Sequence, residues 1–272
     1  MSDCFAGEMI VHINELLGKD IVKGDSVEKL KSLRDAFETM KNLREDTTKS
    51  STSSKPTPEF DKLPSYTPRQ RTMTYAGIGS RETPIEIQKE MTKAAKMLEK
   101  AGYTLQSGGA DGADVAFEEG AGNSKKIFLA NTDWANKTTG KWGQQKRKDL
   151  GLRNESTDIV LDDRYPKKSR KYVDDNLKTR VMSIAEEIHP RGKDLSEFPK
   201  KLMARNTFQV FGENLDTPVD FVLFWAEEVK GSDRPKGGTG QAVEMARRKG
   251  IPTINMAETG WKEQLEGVLG KS

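Results

Sequence analysis

The sequence predicts an α/β fold, a Rossmann-like parallel sheet with helices on both faces, plus a small N-terminal helical appendage. From residue 71 onward, short apolar runs alternate with segments of helical periodicity, which is the pattern of parallel strands joined by crossover helices. Three of the apolar runs end in a glycine-rich turn that opens the next helical segment. These turns are Gly77-Ile78-Gly79-Ser80-Arg81, Ser107-Gly108-Gly109-Ala110-Asp111-Gly112-Ala113-Asp114 and Gly237-Gly238-Thr239-Gly240-Gln241.

The first 45 residues are predicted to form the helical appendage. Apolar residues recur every three or four positions in two stretches, one ending near Gly18 and one beginning near Asp25. The second stretch contains Val27, Leu30, Leu33, Phe37 and Met40. Two interpretations stay open: a hairpin packed on itself or on the main domain, and a seam for dimerisation or partner docking. Because two short helices bury little surface alone, the second interpretation predicts a homo-oligomer.

Residues 46–70 are predicted to be a flexible linker, because they consist largely of Ser, Thr, Pro and Lys and contain almost no apolar side chains. The expected organisation is therefore a helical appendage over 1–45, this linker, and a Rossmann-like domain over 71–272.

Within the domain, each element follows from the local pattern. The predicted strands span 73–76, 103–106, 126–130, 219–225 and 251–254. The first helix begins at Thr83-Pro84, with proline in its first turn, and ends at Gly102. Further helices are expected behind the second glycine turn, over 195–213 and over 241–249, and a short last helix contains Trp261.

Residues 131–180 interrupt this alternation and are predicted to be an insertion without regular periodicity. Basic and aromatic residues alternate there, including Trp134, Trp142, Arg147, Tyr165 and Tyr172. One interpretation is a surface for single-stranded DNA, because cations contact phosphates while aromatic rings stack on bases. The others are a solvated lid or edge elaboration, and a lid that closes on a nucleotide.

The composition excludes several classes of protein. The 272 residues include 45 basic and 42 acidic side chains, and this near balance argues against a strong, sequence-independent DNA binder. The single cysteine, Cys4, excludes an internal disulfide and a Cys-based zinc site. No group of residues has metal-ligand spacing, so we expect neither a metal nor a cofactor. Without an apolar run of about 18 residues or a signal-peptide core, the expected location is cytoplasmic, with no membrane partner.

The three glycine turns predict one shared phosphate-binding crevice. The carboxyl ends of parallel strands meet at one edge of a sheet, and helix N-termini there attract anions. The expected ligand is therefore a nucleotide or a nucleotide-derived small molecule. The candidate binding residues are Gly77, Gly79, Ser80, Arg81, Ser107, Gly108, Gly109, Asp111, Asp114, Asn206, Gly237, Gly238, Thr239 and Gly240.

The charged members of this set allow two roles each. Asp111 and Asp114 either cap the following helix or accept hydrogen bonds from a ribose, a base or an arginine. Arg81 is either a solvated surface residue or a partner for phosphate or carboxylate. Arg205 and Asn206 lie at the border of the apolar face of the 195–213 helix, where a side chain is either a surface residue or a ligand contact.

Two of the turns resemble a known family. Gly79-Ser80-Arg81, followed by a helix and the Ser107–Asp114 turn, resembles the core of the DNA-processing protein A family, recombination mediators that load recombinase on single-stranded DNA. The third turn resembles the Pro-Gly-Gly-x-Gly-Thr-x-x-Glu signature of the Lonely Guy type phosphoribohydrolases, with Lys236 replacing proline and Gln241 replacing threonine. Both families belong to the SLOG superfamily of Rossmann-like nucleotide-binding proteins. The resemblance covers roughly residues 72–130 and 195–256.

The resemblance implies a catalytic pair. In the phosphoribohydrolases an upstream arginine works with the glutamate of the signature on a nucleoside monophosphate, and the matching residues are Arg205 and Glu244. Glu244 would stabilise an oxocarbenium-like transition state or activate water; the alternative is a solvated carboxylate near a helix start. The two replaced signature residues favour binding without efficient hydrolysis. The remaining hypotheses are a single-stranded DNA-binding recombination accessory protein and an interaction protein on a degenerate Rossmann scaffold.

Overall fold

The computed structural model describes residues 27–29, 31–32, 34–35, 57–68, 71–132, 145–154, 156–163, 166–227, 235 and 237–270. The chain divides into two compact units, Met1–Thr57 and Pro58–Ser272. In the first unit, the described residues between Val27 and Asp35 are helical, as the apolar spacing predicts. The remaining members of the predicted apolar stripe, Leu30, Leu33, Phe37 and Met40, lie outside the described residues.

The second unit is built on a parallel sheet, as the sequence predicts. Its described strands are Thr74–Gly79 (β1), Thr104–Ser107 (β2), Lys125–Leu129 (β3), Asp158–Val160 (β4), Lys171–Tyr172 (β5), Phe221–Trp225 (β6) and Thr253–Asn255 (β7). These seven strands have the order β5-β4-β3-β2-β1-β6-β7, and each neighbouring pair is parallel. The strand order reverses between β1 and β6, which makes that gap the topological switch point where ligands bind in open α/β sheets.

Helices cover both faces of the sheet. Their bounds are Ile85–Lys100 (α1), Ala113–Ala121 (α2), Gln145–Asp149 (α3), Asp175–Ile188 (α4), Glu197–Phe211 (α5), Gly237–Arg248 (α6) and Trp261–Leu269 (α7). Alternate residues of β1 face opposite sides, so Tyr75 packs with α1 and α2, whereas Ala76 packs with α4, α5 and α6. The doubly covered, all-parallel sheet confirms the predicted fold class.

The segment predicted as an insertion contributes two strands of the sheet. Strands β4 and β5 and the short helix α3 all lie within 131–180. Apolar periodicity misses β4 because it has three residues and begins with a buried carboxylate, Asp158. That carboxylate is balanced by Arg147 of α3, which is 0% exposed. This segment thus adds β4 and β5 to the sheet, and the buried ion pair between Arg147 and Asp158 fixes α3 against β4.

The segment predicted as a linker ends earlier than residue 70. Phe60 and Leu63 are buried in the core beside α4 and α6. The side-chain ammonium of Lys249 donates hydrogen bonds to the carbonyls of Asp61 at 3.0 Å and Leu63 at 2.7 Å. The backbone carbonyl of Lys249 accepts a hydrogen bond from the amide of Tyr66 at 2.8 Å. Residues 58–66 therefore belong to the domain, because they carry apolar surface that it buries. The rest of the predicted linker, 46–56, lies outside the described residues.

None of the described helices has the length and apolar character needed to cross a membrane. No group of three or more His, Cys, Asp or Glu side chains in that part of the chain is arranged to hold a metal ion.

Candidate functional site

A cavity of about 340 Å³ opens at the switch point of the sheet. It lies at the carboxyl end of β1, between the second glycine turn, α5 and the first turn of α6. Its walls are Ile78, Gly79, Ser80, Arg81, Ala110, Asp114, Leu202, Met203, Arg205, Asn206, Gln209, Gly237, Gly238 and Thr239. The three glycine turns thus contribute to one cavity, as their strand positions predict.

The first two turns touch each other at Gly112. This residue has φ +91°, and a Cβ there would lie 2.7 Å from backbone atoms of Ser80 and Arg81. The amide of Ala113, the first residue of α2, donates a hydrogen bond to the Ser80 carbonyl at 3.2 Å. Only glycine permits both the left-handed backbone and this close approach. The contact fixes Ser80 and Arg81 at the edge of the cavity.

The third turn is held in place from α5. The side-chain amide of Asn206 donates to the Gly238 carbonyl at 3.1 Å and to Oε1 of Gln241 at 3.2 Å. The backbone amides of Gly237, Gly238 and Thr239 belong to the first turn of α6, where they have no carbonyl partner within the helix. This end of the helix carries its partial positive charge and forms one wall of the cavity.

A buried pair of opposite charges lies below the turns. Nη2 of Arg205 is 3.6 Å from Oδ2 of Asp114, and Nη1 of the same guanidinium donates to the Gly108 carbonyl. Burial raises the pKa of Asp114 to about 6, while the charge of Arg205 and a hydrogen bond from the Ala110 amide act in the opposite direction. Burial lowers the pKa of Arg205, opposed by Asp114, and the nearby Arg81 lowers it further.

Several polar atoms at this floor have no partner among the described residues. They are Oδ1 of Asp114, Nε of Arg205, and both Nε2 and Oε1 of Gln209. An unpaired buried polar atom costs roughly 1 to 3 kcal/mol, so folded proteins pair nearly all of them. Four such atoms belong to three residues that line the cavity.

Of the predicted binding residues, Gly79, Ser80, Arg81, Asp114, Asn206, Gly237, Gly238 and Thr239 line the cavity, as does Arg205 from the predicted catalytic pair. Gly77, Ser107, Gly108, Gly109, Asp111 and Gly240 do not.

Packing accounts for several of these residues. A Cβ on Gly77 would lie 2.7 Å from Leu105 and Phe117, and one on Gly109 would lie 2.9 Å from Ile127, away from the cavity. The hydroxyl of Ser107 donates to the carbonyl of Gly77 at 2.8 Å.

Two further predicted residues have structural partners. The carboxylate of Asp111 accepts a hydrogen bond from the Lys146 amide at 3.1 Å, which ties the second turn to α3. A Cβ on Gly240 would lie 1.7 Å from the carbonyl oxygen of Pro235, so the close approach of that backbone requires glycine.

Glu244 does not join Arg205 in the cavity. It is half-buried on α6, and Oε1 of its carboxylate accepts a hydrogen bond from Nε of Arg248 at 2.6 Å. The two residues of the predicted catalytic pair are therefore separated in role: Arg205 lines the cavity and Glu244 pairs with a neighbour on its own helix.

Gln209 also lines the cavity, although the sequence did not predict it. This residue lies one helical turn beyond Arg205, so the two side chains share a face of α5. The spacing carried the signal, since Arg205, Asn206 and Gln209 follow an i, i+1, i+4 pattern that places them on one side of the helix. Leu202 and Met203 lie one turn earlier on α5 and also line the cavity.

Among known proteins, the similarity found for this chain is to solved structures. No protein-family model matches the chain, and no curated protein matches it. Among solved structures, the chain is similar to DNA processing protein A from Helicobacter pylori, with 16% sequence identity and a TM-score of 0.40. The similarity covers 76% of this chain and 78% of that chain. The Helicobacter pylori protein binds single-stranded DNA.

Proposed function

We propose that the cavity binds a small nucleotide-derived ligand. The observation that carries this proposal is the group of unpaired buried polar atoms on Asp114, Arg205 and Gln209 at the cavity floor. A volume of about 340 Å³ lies within the usual range of small-molecule sites. The position at the switch point of a parallel sheet is where nucleotides bind in doubly wound folds.

The phosphate group of the ligand binds at the wall formed by α6 and Arg81. The amides of Gly237, Gly238 and Thr239, in the first turn of α6, supply donors and a favourable helix dipole there. Arg81 lines the same cavity, and its guanidinium is a cation with paired donors, which matches phosphate geometry. The rest of the ligand extends toward the polar floor.

We favour binding over N-glycosidic hydrolysis. Asp114 is the acidic residue among the described residues that line the cavity, and its carboxyl faces Arg205. Glu244 pairs with Arg248 and does not line the cavity. The glutamate that the resemblance to phosphoribohydrolases implies as a catalytic partner is thus not in the cavity.

Binding of single-stranded DNA through 131–180 stays a prediction. In the described part of that segment, Arg147 is fully buried and the Tyr172 hydroxyl donates to Asp163 at 3.0 Å. Trp134, Trp142, Arg164 and Tyr165 lie outside the described residues. A homo-oligomer formed through the N-terminal helices likewise stays a prediction.

A thermal-shift experiment tests the binding proposal. At a nucleotide concentration about 100 times its Kd, stabilisation is about 2.7 kcal/mol, which is a Tm increase of about 5 to 10 °C for a domain of about 200 residues. The probes are nucleoside mono- and diphosphates, ADP-ribose and dinucleotides. Arg81→Ala is expected to weaken binding about 10- to 100-fold, because it removes charge-assisted hydrogen bonds to phosphate. Arg248→Ala, on α6 but outside the cavity, is the matched control and keeps wild-type affinity.

If no probe shifts the Tm and no nucleotide co-purifies with the protein, the proposal is wrong. The same samples test hydrolysis through release of free base and ribose phosphate from nucleoside monophosphates. We expect no efficient turnover in the wild type. Turnover that falls at least about 100-fold in both Glu244→Gln and Arg205→Ala would establish the catalytic pair instead.

A further inference from the structure

Gln209 is the most deeply buried side chain amide at the cavity floor. It is 1% exposed, and neither Nε2 nor Oε1 has a hydrogen-bond partner among the described residues. Elsewhere on α5, Asn206 uses its amide to hold the third glycine turn. The amide of Gln209 has no such structural use.

The backbone of the second turn makes room for this side chain. A Cβ on Gly108 would lie 2.3 Å from Nε2 of Gln209 and 2.6 Å from the guanidinium carbon of Arg205. Glycine at position 108 therefore lets both polar groups lie against the turn, at the edge of the cavity. A leucine or methionine at position 209 would fill similar volume without the cost of an unpaired amide.

The atoms around Gln209 select a particular chemistry. Oε1 of Gln209 and Oδ1 of Asp114 are acceptors, whereas Nε2 of Gln209 and Nε of Arg205 are donors. A phosphate offers only acceptors and carries negative charge, so it would meet two unfavourable oxygens here. An uncharged group that offers a donor beside an acceptor matches the two atoms of the Gln209 amide, its acceptor Oε1 and its donor Nε2.

We propose that Gln209 is the specificity-determining residue of the cavity and binds the uncharged, donor-and-acceptor part of the ligand. This inference rests on the proposed nucleotide binding and fixes the direction of the ligand: phosphate at α6 and Arg81, uncharged part at Gln209. The donor-and-acceptor group is either the edge of the base or the ribose hydroxyls, since both present a donor next to an acceptor.

Isothermal titration calorimetry with defined probes tests this assignment. The probes are AMP, IMP, GMP, UMP, 2′-deoxy-AMP, 3′-deoxy-AMP and pyrophosphate. Two neutral hydrogen bonds are lost in Gln209→Leu and Gln209→Met, so the affinity for the preferred nucleotide falls about 10- to 100-fold. The affinity for pyrophosphate changes by less than about 2-fold. Gln264→Leu, on the exposed side of α7, is the matched control.

The pattern of lost selectivity identifies the group that Gln209 binds. If it binds the base, the variants lose the preference among AMP, IMP, GMP and UMP and keep the preference for ribose over deoxyribose. If Gln209 binds the ribose hydroxyls, the variants lose the preference for ribose over deoxyribose and keep the preference among AMP, IMP, GMP and UMP. Gln209→Glu, which replaces the donor by an acceptor, weakens binding in both cases. The Tm of each apo variant is measured first and is not expected to fall.

Two results would overturn the inference and are distinguishable. Wild-type affinity and selectivity retained within about 2-fold in both Gln209→Leu and Gln209→Met would overturn the role of Gln209 and leave the proposed function intact. An equal loss of pyrophosphate and nucleotide affinity would place the phosphate at the floor and reverse the direction of the ligand. If the wild type binds none of the nucleotides, the proposed function fails as well.

Discussion

Replacing Arg147 by methionine is expected to destabilise the domain strongly. The guanidinium is fully buried and donates to Glu118 at 2.6 and 2.9 Å and to Asp158 at 2.7 and 3.3 Å. Both carboxylates are themselves buried, and Lys125 contacts Glu118 at 3.0 Å. The variant leaves two buried carboxylates with one ammonium, and removing one partner of a buried pair costs about 3 to 5 kcal/mol. For a domain of about 200 residues this is a Tm decrease of roughly 6 to 20 °C.

The destabilisation is expected to depend on pH. Burial raises the pKa of Asp158 above its ordinary value, and Arg147 opposes that rise. Without Arg147 the pKa of Asp158 rises further, so the folded variant binds a proton more tightly than the unfolded chain. The free energy of unfolding of the variant then falls as the pH rises above the unfolded pKa. The difference from the wild type is therefore larger at pH 8 than at pH 5.

Urea unfolding followed by circular dichroism at pH 5 and pH 8 measures both effects. Lys148→Met, an exposed neighbour on α3, is the matched control and is expected to change stability by no more than about 0.5 kcal/mol. A double variant with Arg147→Met and Asp158→Asn is expected to recover part of the loss, since it removes one of the uncompensated charges. The reasoning is refuted if Arg147→Met unfolds at the wild-type urea concentration, or if its loss is the same at both pH values.

Two further predictions concern the cavity and the domain boundary. Because the pKa of Asp114 is raised to about 6, wild-type stability decreases by up to about 3 kcal/mol as the pH rises through the window between about 4 and 6. Thermal unfolding across pH 4 to 7 should show this slope flattened in Asp114→Asn, and equal slopes in the two proteins would contradict the assignment. A chain starting at Pro58 should unfold at a higher temperature than one starting at Arg71, because the shorter chain loses Phe60 and Leu63 from the core, at about 1.5 to 3 kcal/mol each. Equal Tm values for the two chains would show that this segment adds no stability.

The sequence predicts the centre of the sheet better than its edge. Strand β6 is a continuous apolar run, and β1 and β3 each contain an apolar run, because both faces of a central parallel strand are buried. Strand β4 was not predicted, because its three residues include Asp158, whose charge is compensated by Arg147 of the short helix α3. The periodicity of apolar residues reveals buried apolar faces, but it does not reveal a charged side chain that is buried in an ion pair.

The candidate site was predicted in part for a related reason. The glycine turns are local, so their place at the ends of β1 and β2 and at the start of α6 follows from the alternation of strands and helices. Whether a residue of a turn faces the cavity or the core depends on neighbours that are distant in sequence. Gly109 faces Ile127, whereas Gly238 faces Asn206 and lines the cavity. The same holds on helices α5 and α6, where the rotational position of each residue decides that Gln209 lines the cavity and Glu244 does not.

The cavity and the edge of the sheet are connected through α3. Lys146 donates its amide to Asp111 of the second turn at 3.1 Å, and a Cβ on Gly109 would lie 3.1 Å from the Arg147 side chain. The next residues of that turn, Ala110 and Asp114, line the cavity. The buried ion pairs that hold α3 against the sheet therefore also hold the turn that shapes the cavity floor. The stability of the β4 edge of the sheet and the geometry of the cavity thus depend on the same side chain, Arg147. Its guanidinium binds Glu118 and Asp158, and its aliphatic part lies against Gly109 of the second turn.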